Sequence, residues 1–598
     1  MVRKPTLIAM LALLAALTGC TEATNRAGGV AESTTTTTVS TGPGTGGTAG
    51  MPFDDFVEDS FQELTTREPE LVTGFGLNGA FGIRPDQLDD LSAGFAAETN
   101  ELVTATLSQL RAYEPDGLTA DQLITYRAYE WHLEIQIEAH KFRLHEWPVH
   151  FMLNSYNEGA NLLFISIHPL TDREEVDDFI TRLHAIPVQV DQVILWMEEA
   201  ESAGILPPDY VIGITVDRLE GDIGGGDVDQ MPILQSFVDR LRGLALDSDV
   251  GAEYEQEVRS ALEDSFIPSW QKLIEHLDGI EGADNKISLS RLPDGDAYYE
   301  HLLRRHTSTD LSAEEIHQLG WDQADRIKRE IADLATGAGF GELSAGQFRS
   351  LAAGEGGFAS GDEVVSTYEQ LISEASNHFT EYFNVVPTTP LQVVNDPGPV
   401  AYYVTPAADA SRPGQFHAGT GGRPTPRYVM PSLAYHEAVP GHHFQLSVAL
   451  ESSLPSPQRF LVTTGHAEGW ALYAERLADE VGLYAGNPLG NFGRLDYELL
   501  RAARLIVDTG IHYFGWTRED AARTMSEVMD GERFNEEIER YVLYPGQATA
   551  YMVGMLAILD LRSQSIGSDD SPDTMAAFHD EVIGHGNLPL DVLSQTGQ

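Results

Sequence analysis

The stretch at 436–445 reads HEAVPGHHFQ, and Pro440 decides what can be built from it. Many zinc hydrolases set two histidines four residues apart on a helix, where they share a face and reach one ion. The glutamate after the first histidine then sits beside the open coordination position and can take a proton from bound water. Here the i+4 position is Pro440, and the next histidines are His442 and His443, at i+6 and i+7. On an unbroken helix, i+6 turns to another face and i+7 lies ~10 Å further along the axis. A regular helix therefore fails. Proline removes an amide donor, and its ring collides with the carbonyl four residues back, which is that of His436. The helix must open between them, and Gly441 can take up the backbone angles that the repair needs. With a two-residue bulge in AVPG, His442 returns to the place of the second ligand. Breaking a helix costs ~3 kcal/mol. Structural zinc binding is worth on the order of 10 kcal/mol, so a bound ion offsets the break.

A site that keeps one position open for water needs a third protein ligand. Residues 465–475 read GHAEGWALYAE, and Glu468 lies 26 residues after His442. That is enough chain to leave one helix, turn and return along another. His466 competes, but residues two apart face nearly opposite sides of a helix, so one of the two points inward. Glu475, two turns beyond Glu468, either orients a ligand through a hydrogen bond or sits on the surface as a solvated carboxylate. A second His-Glu pair, in HEWPVH at 145–150, has a proline with no glycine to relieve it and no acidic or histidine cluster at comparable distance. It reads as a helix end with packing side chains.

Arg504, Asp508 and His512 fall at i, i+4 and i+8, one stripe on a helix. LIV precedes Asp508 and IHYFGW surrounds His512, so the stripe is expected to face a cleft rather than solvent. Arg504 and His512 are candidates to bind a carboxylate or a developing oxyanion, and Asp508 to orient a neighbour. In YPGQATAYMVG at 544–554, Pro545 and Gly546 suit a helix start, after which Gln547 and Tyr551 share a face. Tyr551 is expected to donate to a tetrahedral intermediate, with Tyr544 as the alternative and Gln547 beside the substrate. Core packing is the plainer reading of all three.

The first fifty residues differ from the rest. A basic start (Met1–Lys4), an apolar run at 6–19 and LTGC ending at Cys20 make an export signal of the lipoprotein type. The apolar run is too short to span a bilayer, which takes ~20 residues. Cys20 is the one cysteine in the chain, so no internal disulfide is possible. Residues 1–19 are expected to be the signal peptide. Cys20 is expected to carry a lipid that anchors an extracytoplasmic protein to a membrane of the cell envelope, and the Thr/Gly-rich 20–50 to be a flexible tether. Asp and Glu number 92 against 37 Lys and Arg, a net charge of −55 that repels phosphate backbones, so no nucleic-acid partner is expected.

From 51 to 598 the pattern is mostly helical. Candidate capping boxes pair Thr119 with Gln122, Thr171 with Glu174, and Ser312 with Glu315. Helical spacing runs through 101–141, 312–335, 362–384, 495–514 and 546–564, and strand candidates are confined to 390–430 (LQVV, AYYV, RYVM). The fold class expected is mainly α: a large single helical domain with a deep cleft and a small β-region before the metal-binding helix. The Gly/Asp-rich piece at 221–230 reads as a surface loop without calcium-ligand spacing.

HEAVPGHHFQ followed by AEGWALYAE closely resembles the bacterial family called domain of unknown function 885. Further matches are LPDGDAYYEHLLRRHTSTDLSAEEIHQLG at 292–320, SRPGQFHAGT at 411–420, RLIVDTGIHYFGW at 504–516 and YPGQATAYMVG. The family in turn resembles helical zinc peptidases of the thimet-oligopeptidase and thermostable-carboxypeptidase type. That resemblance implies one zinc ion on His436, His442 and Glu468, with Glu437 as general base. His443 stays an alternative to His442, because the alignment rests on the bulge. The expected activity is hydrolysis of peptides or other small amides by metal-activated water. The rivals are a zinc hydrolase of a non-peptide amide or ester, and a non-catalytic binding lipoprotein that keeps the fold.

Overall fold

The computed structural model describes residues 50–596, apart from 153, 397, 399–400, 422–423 and 532–534. The signal segment, Cys20 and all but the last residue of the tether lie outside the described residues.

Capping chemistry sets where several helices begin. Thr119 with Gln122 and Ser312 with Glu315 close reciprocal boxes on Ala120–His140 and Ala313–Gly337. The box expected between Thr171 and Glu174 does not form, and the N-cap is the next residue. Asp172 caps Arg173–Ser202 by accepting from the Glu175 amide, and Thr171 donates to the Glu175 carboxylate at 2.8 Å. An aspartate is the stronger N-cap, and it takes the position. The helix expected over 101–141 is in fact two, Ala93–Leu110 and Ala120–His140, parted at the Pro115–Gly117 turn.

The chain is mainly helical, with a small β-region where it was expected. Strands β1 (Phe358–Ala359) and β5 (Thr425–Pro426) pair antiparallel. Strands β2 (Leu391–Asp396), β3 (Tyr402–Val404) and β4 (Gly414–Gly419) form a sheet in the order β2-β4-β3, with β2 parallel and β3 antiparallel to β4. RYVM is not a strand. Met430 opens the helix Met430–Glu437, and Pro431 suits its first turn because the missing amide has no partner there.

Two late helices carry most of the candidate site, and glycines let their backbones touch. A Cβ on Gly469, in Thr464–Glu480, would stand 2.4 Å from the Gly554 carbonyl carbon; one on Gly554, in Ala550–Ile566, would stand 1.9 Å from the Gly465 oxygen. This close crossing brings Tyr551 to the side of the helix that holds Glu468. Pro488–His512 packs beside them with almost every residue past its first turn buried.

A cavity of about 460 Å³ opens between segments drawn from 67–208 and segments at 289–306, 404–412 and 542–545. Its volume is that of a small-ligand site, but it is not the cleft expected around the metal-ligand candidates, since His436, His442, Glu468, Arg504 and His512 do not line it. Among the described residues no single helix is long and apolar enough to cross a membrane.

Candidate metal centre

The helix that begins at Met430 ends at Glu437, and a new one starts at His442 and runs to Glu451. Between them the backbone turns through Ala438 (φ −112°, ψ −93°) and Gly441 (φ −74°, ψ −134°). Gly441 is needed for a different reason from the one its sequence context suggests. Its φ is negative, but a Cβ there would stand 1.8 Å from the His436 oxygen and 2.4 Å from that of Tyr435. The interrupted helix folds back on its own last turn, and only glycine allows that approach. The indole of Trp470 fixes the break by donating to the Pro440 carbonyl at 2.7 Å.

The break puts His442 beside His436, their rings perpendicular with centroids 4.8 Å apart. Glu468 Oε2 lies 3.5 Å from His436 Nε2 and 3.4 Å from His442 Nε2. One donor atom from each of the three residues falls within 4.8 Å of the others. Donors ~2.1 Å from a common ion sit roughly 3.4 Å apart at tetrahedral angles, so the spacing fits a zinc-sized cation. All three residues are buried, and His436 Nε2, His442 Nε2 and Glu468 Oε2 have no hydrogen-bond partner among the described residues. Buried polar atoms without partners are costly. Three such atoms within 4.8 Å of one another make a donor set that can hold a metal ion.

The carboxylates dominate the electrostatics. Burial pushes the His436 imidazole down, but the neighbouring carboxylates of Glu468, Glu475 and Glu437 outweigh it and raise the group to about 9. Burial pushes the Glu468 carboxyl up, but the His442 and His436 imidazoles outweigh it and hold it well below the ordinary range. The surplus of negative charge favours a cation. Glu475 is buried, not solvated: it accepts from His436 Nδ1 at 2.8 Å and from the Ser432 hydroxyl, and Arg501 stands 3.7 Å away. It fixes the His436 ring so that Nε2 faces the other two donors.

Glu437 is fully buried, and neither of its oxygens has a hydrogen-bond partner among the described residues. Burial raises its carboxyl, while the nearby charges of His436, His442 and Arg501 pull it down and Glu468 pushes it up. Its charge is thus coupled to all three donors.

Tyr551 joins this group. Its ring lies 6.2 Å from that of His436 and near parallel to it, and its oxygen accepts from Arg540 at 2.9 Å and from Gln547 Nε2 at 3.4 Å. Three guanidinium groups surround the ring: Arg504 at 4.8 Å, Arg501 at 5.6 Å and Arg540 at 5.7 Å from its centroid. Arg504 also makes a bidentate pair with Glu537 at 2.9 and 3.0 Å.

Other sequence candidates are placed elsewhere. His443 Nε2 donates to the Thr389 carbonyl at 3.1 Å and its Nδ1 accepts from the Tyr403 hydroxyl at 3.0 Å, so it is tied to the β-region and His442 is the inward ring. His466 Nδ1 accepts from the Leu588 amide, which leaves Glu468 as the inward member of that pair. His512 does not reach the cluster. Its Nδ1 accepts from the Leu289 amide at 3.3 Å and its Nε2 donates to the Tyr541 carbonyl at 2.9 Å, both ring nitrogens spent on backbone. Asp508 holds the Tyr299 hydroxyl at 2.6 Å and the Gly546 amide at 3.0 Å, anchoring the turn before Tyr551. Sequence reasoning passed over Ser432, Trp470, Arg501 and Arg540. Ser432 was legible, since it precedes His436 by four residues on one helix face; Arg501 sits three before Arg504 and shares its stripe.

The comparisons with known proteins agree with this architecture. A structure of a candidate lipoprotein from Colwellia psychrerythraea matches with a TM-score of 0.81 and 26% identity, over 91% of this chain and 97% of that one. A candidate lipoprotein of unknown function from Shewanella oneidensis matches with a TM-score of 0.63 and 20% identity, over 91% of this chain and 99% of that one, and shares the fold. None of the curated proteins matches the chain. The family model described as bacterial protein of unknown function (DUF885) matches residues 69–596, and the chain belongs to that family.

Proposed function

We propose that the chain is a metal-dependent hydrolase, a peptidase acting on peptides or other small amides, with a zinc ion held by His436, His442 and Glu468. The observation that carries the reading is the convergence of three unpartnered buried donors on one point, with the buried, unpartnered Glu437 carboxylate electrostatically coupled to them. A zinc ion there supplies Lewis acidity and lowers the pKa of a bound water from 15.7 to about 7. Glu437 accepts a proton from the attacking water and returns it to the departing amine, a role suited to a carboxylate with no other hydrogen-bond commitment. Burial raises the Tyr551 phenol, which keeps it protonated, and the Arg540 bond polarises it for donation to a developing oxyanion. Glu475 and Ser432 hold the His436 ring in place. The sequence around Cys20, together with the description of the Colwellia relative, supports a lipid-anchored, extracytoplasmic protein.

A second reading, a non-catalytic binding lipoprotein, is favoured by one fact: the 460 Å³ cavity is not lined by His436, His442 or Glu468. A peptide library presented to the metal-loaded protein and to Glu437→Gln separates the two. The peptidase cleaves, and Glu437→Gln retains metal without cleaving. A metal-loaded wild type that cleaves nothing belongs to the second reading.

A further inference from the structure

HEWPVH, discounted above as a metal motif, forms part of the cavity wall: His145, Glu146, Trp147, Pro148 and His150 all line it. Its ionisable members are engaged locally. Glu146 pairs with Arg305 at 2.7 Å, His145 Nε2 donates to the Pro293 carbonyl at 2.6 Å, and His150 Nδ1 accepts from the Met152 amide at 3.2 Å. Trp147 is different. It is only 9% exposed, and its indole N–H has no acceptor among the described residues. The Trp196 indole and the Tyr156 hydroxyl, also on the wall, lack partners too.

Another part of the wall gathers the carboxylates Glu68, Glu70 and Asp89. Glu70 and Asp89 accept from each other's amides at 3.0 Å, and Gln189 donates to Glu70 at 2.7 Å. Glu68 Oε2 is shut from solvent and has no donor among the described residues. Burial, reinforced by the Asp89 and Glu70 charges, holds the Glu68 carboxyl well above the ordinary range; Arg67 counters it only in part. The guanidinium groups on the wall are bound elsewhere and leave Glu68 Oε2 without a donor: Arg67 to Thr99 and the Phe95 carbonyl, Arg291 to the Leu206 carbonyl, Arg305 to Glu146, and Arg412 to the Gly74 and Thr405 carbonyls.

A carboxylate without a donor and indole and phenol groups without acceptors share one aromatic-walled space. Aromatic faces attract ammonium groups, and a charge-assisted bond satisfies a buried carboxylate better than a neutral one. We propose that this cavity binds the ammonium group of a peptide, its charge taken by Glu68 in a space walled also by Trp147, Trp196 and Tyr156, and its nearby carbonyl oxygens by the unpartnered N–H and O–H donors. That the ligand is a peptide rests on the hydrolase reading; the demand for an ammonium does not. Two wall residues lead to the metal centre. Val404 follows Tyr403, whose ring lies 6.5 Å from that of His442, and the Tyr544 amide donates to the carbonyl of Arg540, the residue that bonds Tyr551.

The test is calorimetric binding to the Glu437→Gln protein, so that cleavage plays no part. The probes are tetra-alanine with a free amino terminus, the same peptide Nα-acetylated, and the acetylated peptide with one lysine. The expected result is at least tenfold tighter binding of a peptide with an ammonium than of the neutral one; which charged peptide gains distinguishes an amino terminus from a lysine side chain. Adding Glu68→Gln should erase the difference, and adding Trp147→Phe, which removes only the N–H and some ring surface, should weaken binding of the charged peptide. Equal binding of charged and neutral peptides, no binding of either charged one, a preference that survives Glu68→Gln, or an unchanged affinity in Trp147→Phe overturns the assignment. A protein that binds the ammonium peptide while its wild type cleaves none upholds the cavity and removes the peptidase reading.

Discussion

Glu475 accepts a 2.8 Å hydrogen bond from Nδ1 of His436, and the other nitrogen of that ring lies 3.5 Å from Glu468. The carboxylate that orients the ring thus sits on the same helix as Glu468, two turns away. Glu475→Ala is expected to weaken zinc binding by about 10–100-fold, the usual effect of losing such a partner. Competition titration against a chelator of known affinity measures it. Glu475→Gln, which keeps an acceptor, should fall between.

Gly441 has its place because the broken helix folds against the carbonyl of His436. Gly441→Ala puts a methyl group where an oxygen already is, and the backbone must shift. A loss of at least about 3 kcal/mol is expected, the upper end for overpacking, together with loss of zinc. Urea unfolding and metal content check both parts.

Tyr551 stands beside His436 with its oxygen held by Arg540. Tyr551→Phe should lower kcat by about 100-fold, the cost of one donor to an oxyanion, with zinc affinity unchanged. Equal kcat at full metal occupancy would assign Tyr551 to packing.

His512 serves the fold. Burial holds its imidazole down to about 4, against an ordinary 6.5. The unfolded chain therefore binds the proton more readily than the folded one, and stability rises with pH across this window. The contribution is fully present above 6.5 and is lost as pH falls toward 4, about 3 kcal/mol for one such group. His512→Gln should flatten the stability-versus-pH curve between 4 and 6.5 by roughly one proton. Urea midpoints at a series of pH values measure it.

The part of the site carried by local chemistry was legible in the sequence. A proline four residues after a histidine dictates a broken helix, and the chain breaks there. Glu468 followed from the need for a third ligand. The errors have a common cause. His512 was placed by helical periodicity, which gives a face but not what covers it, and Leu289 and Tyr541 cover it with backbone. RYVM had strand composition, but Pro431 pre-set a helix start. Gly441 was expected for its free dihedrals and is used for its missing Cβ. The cavity was invisible because its walls come from segments as far apart as 67 and 545, and no local pattern in HEWPVH marks it as a wall.

The whole scheme requires that the imidazole after the broken helix, and not its immediate neighbour, holds the cation. Elemental analysis of the purified protein beside His442→Ala and His443→Gln tests this directly. One equivalent of zinc in the wild type and in His443→Gln, with none in His442→Ala, is the predicted result. Zinc retained by folded His442→Ala, or a wild type that takes up none from excess, would contradict it.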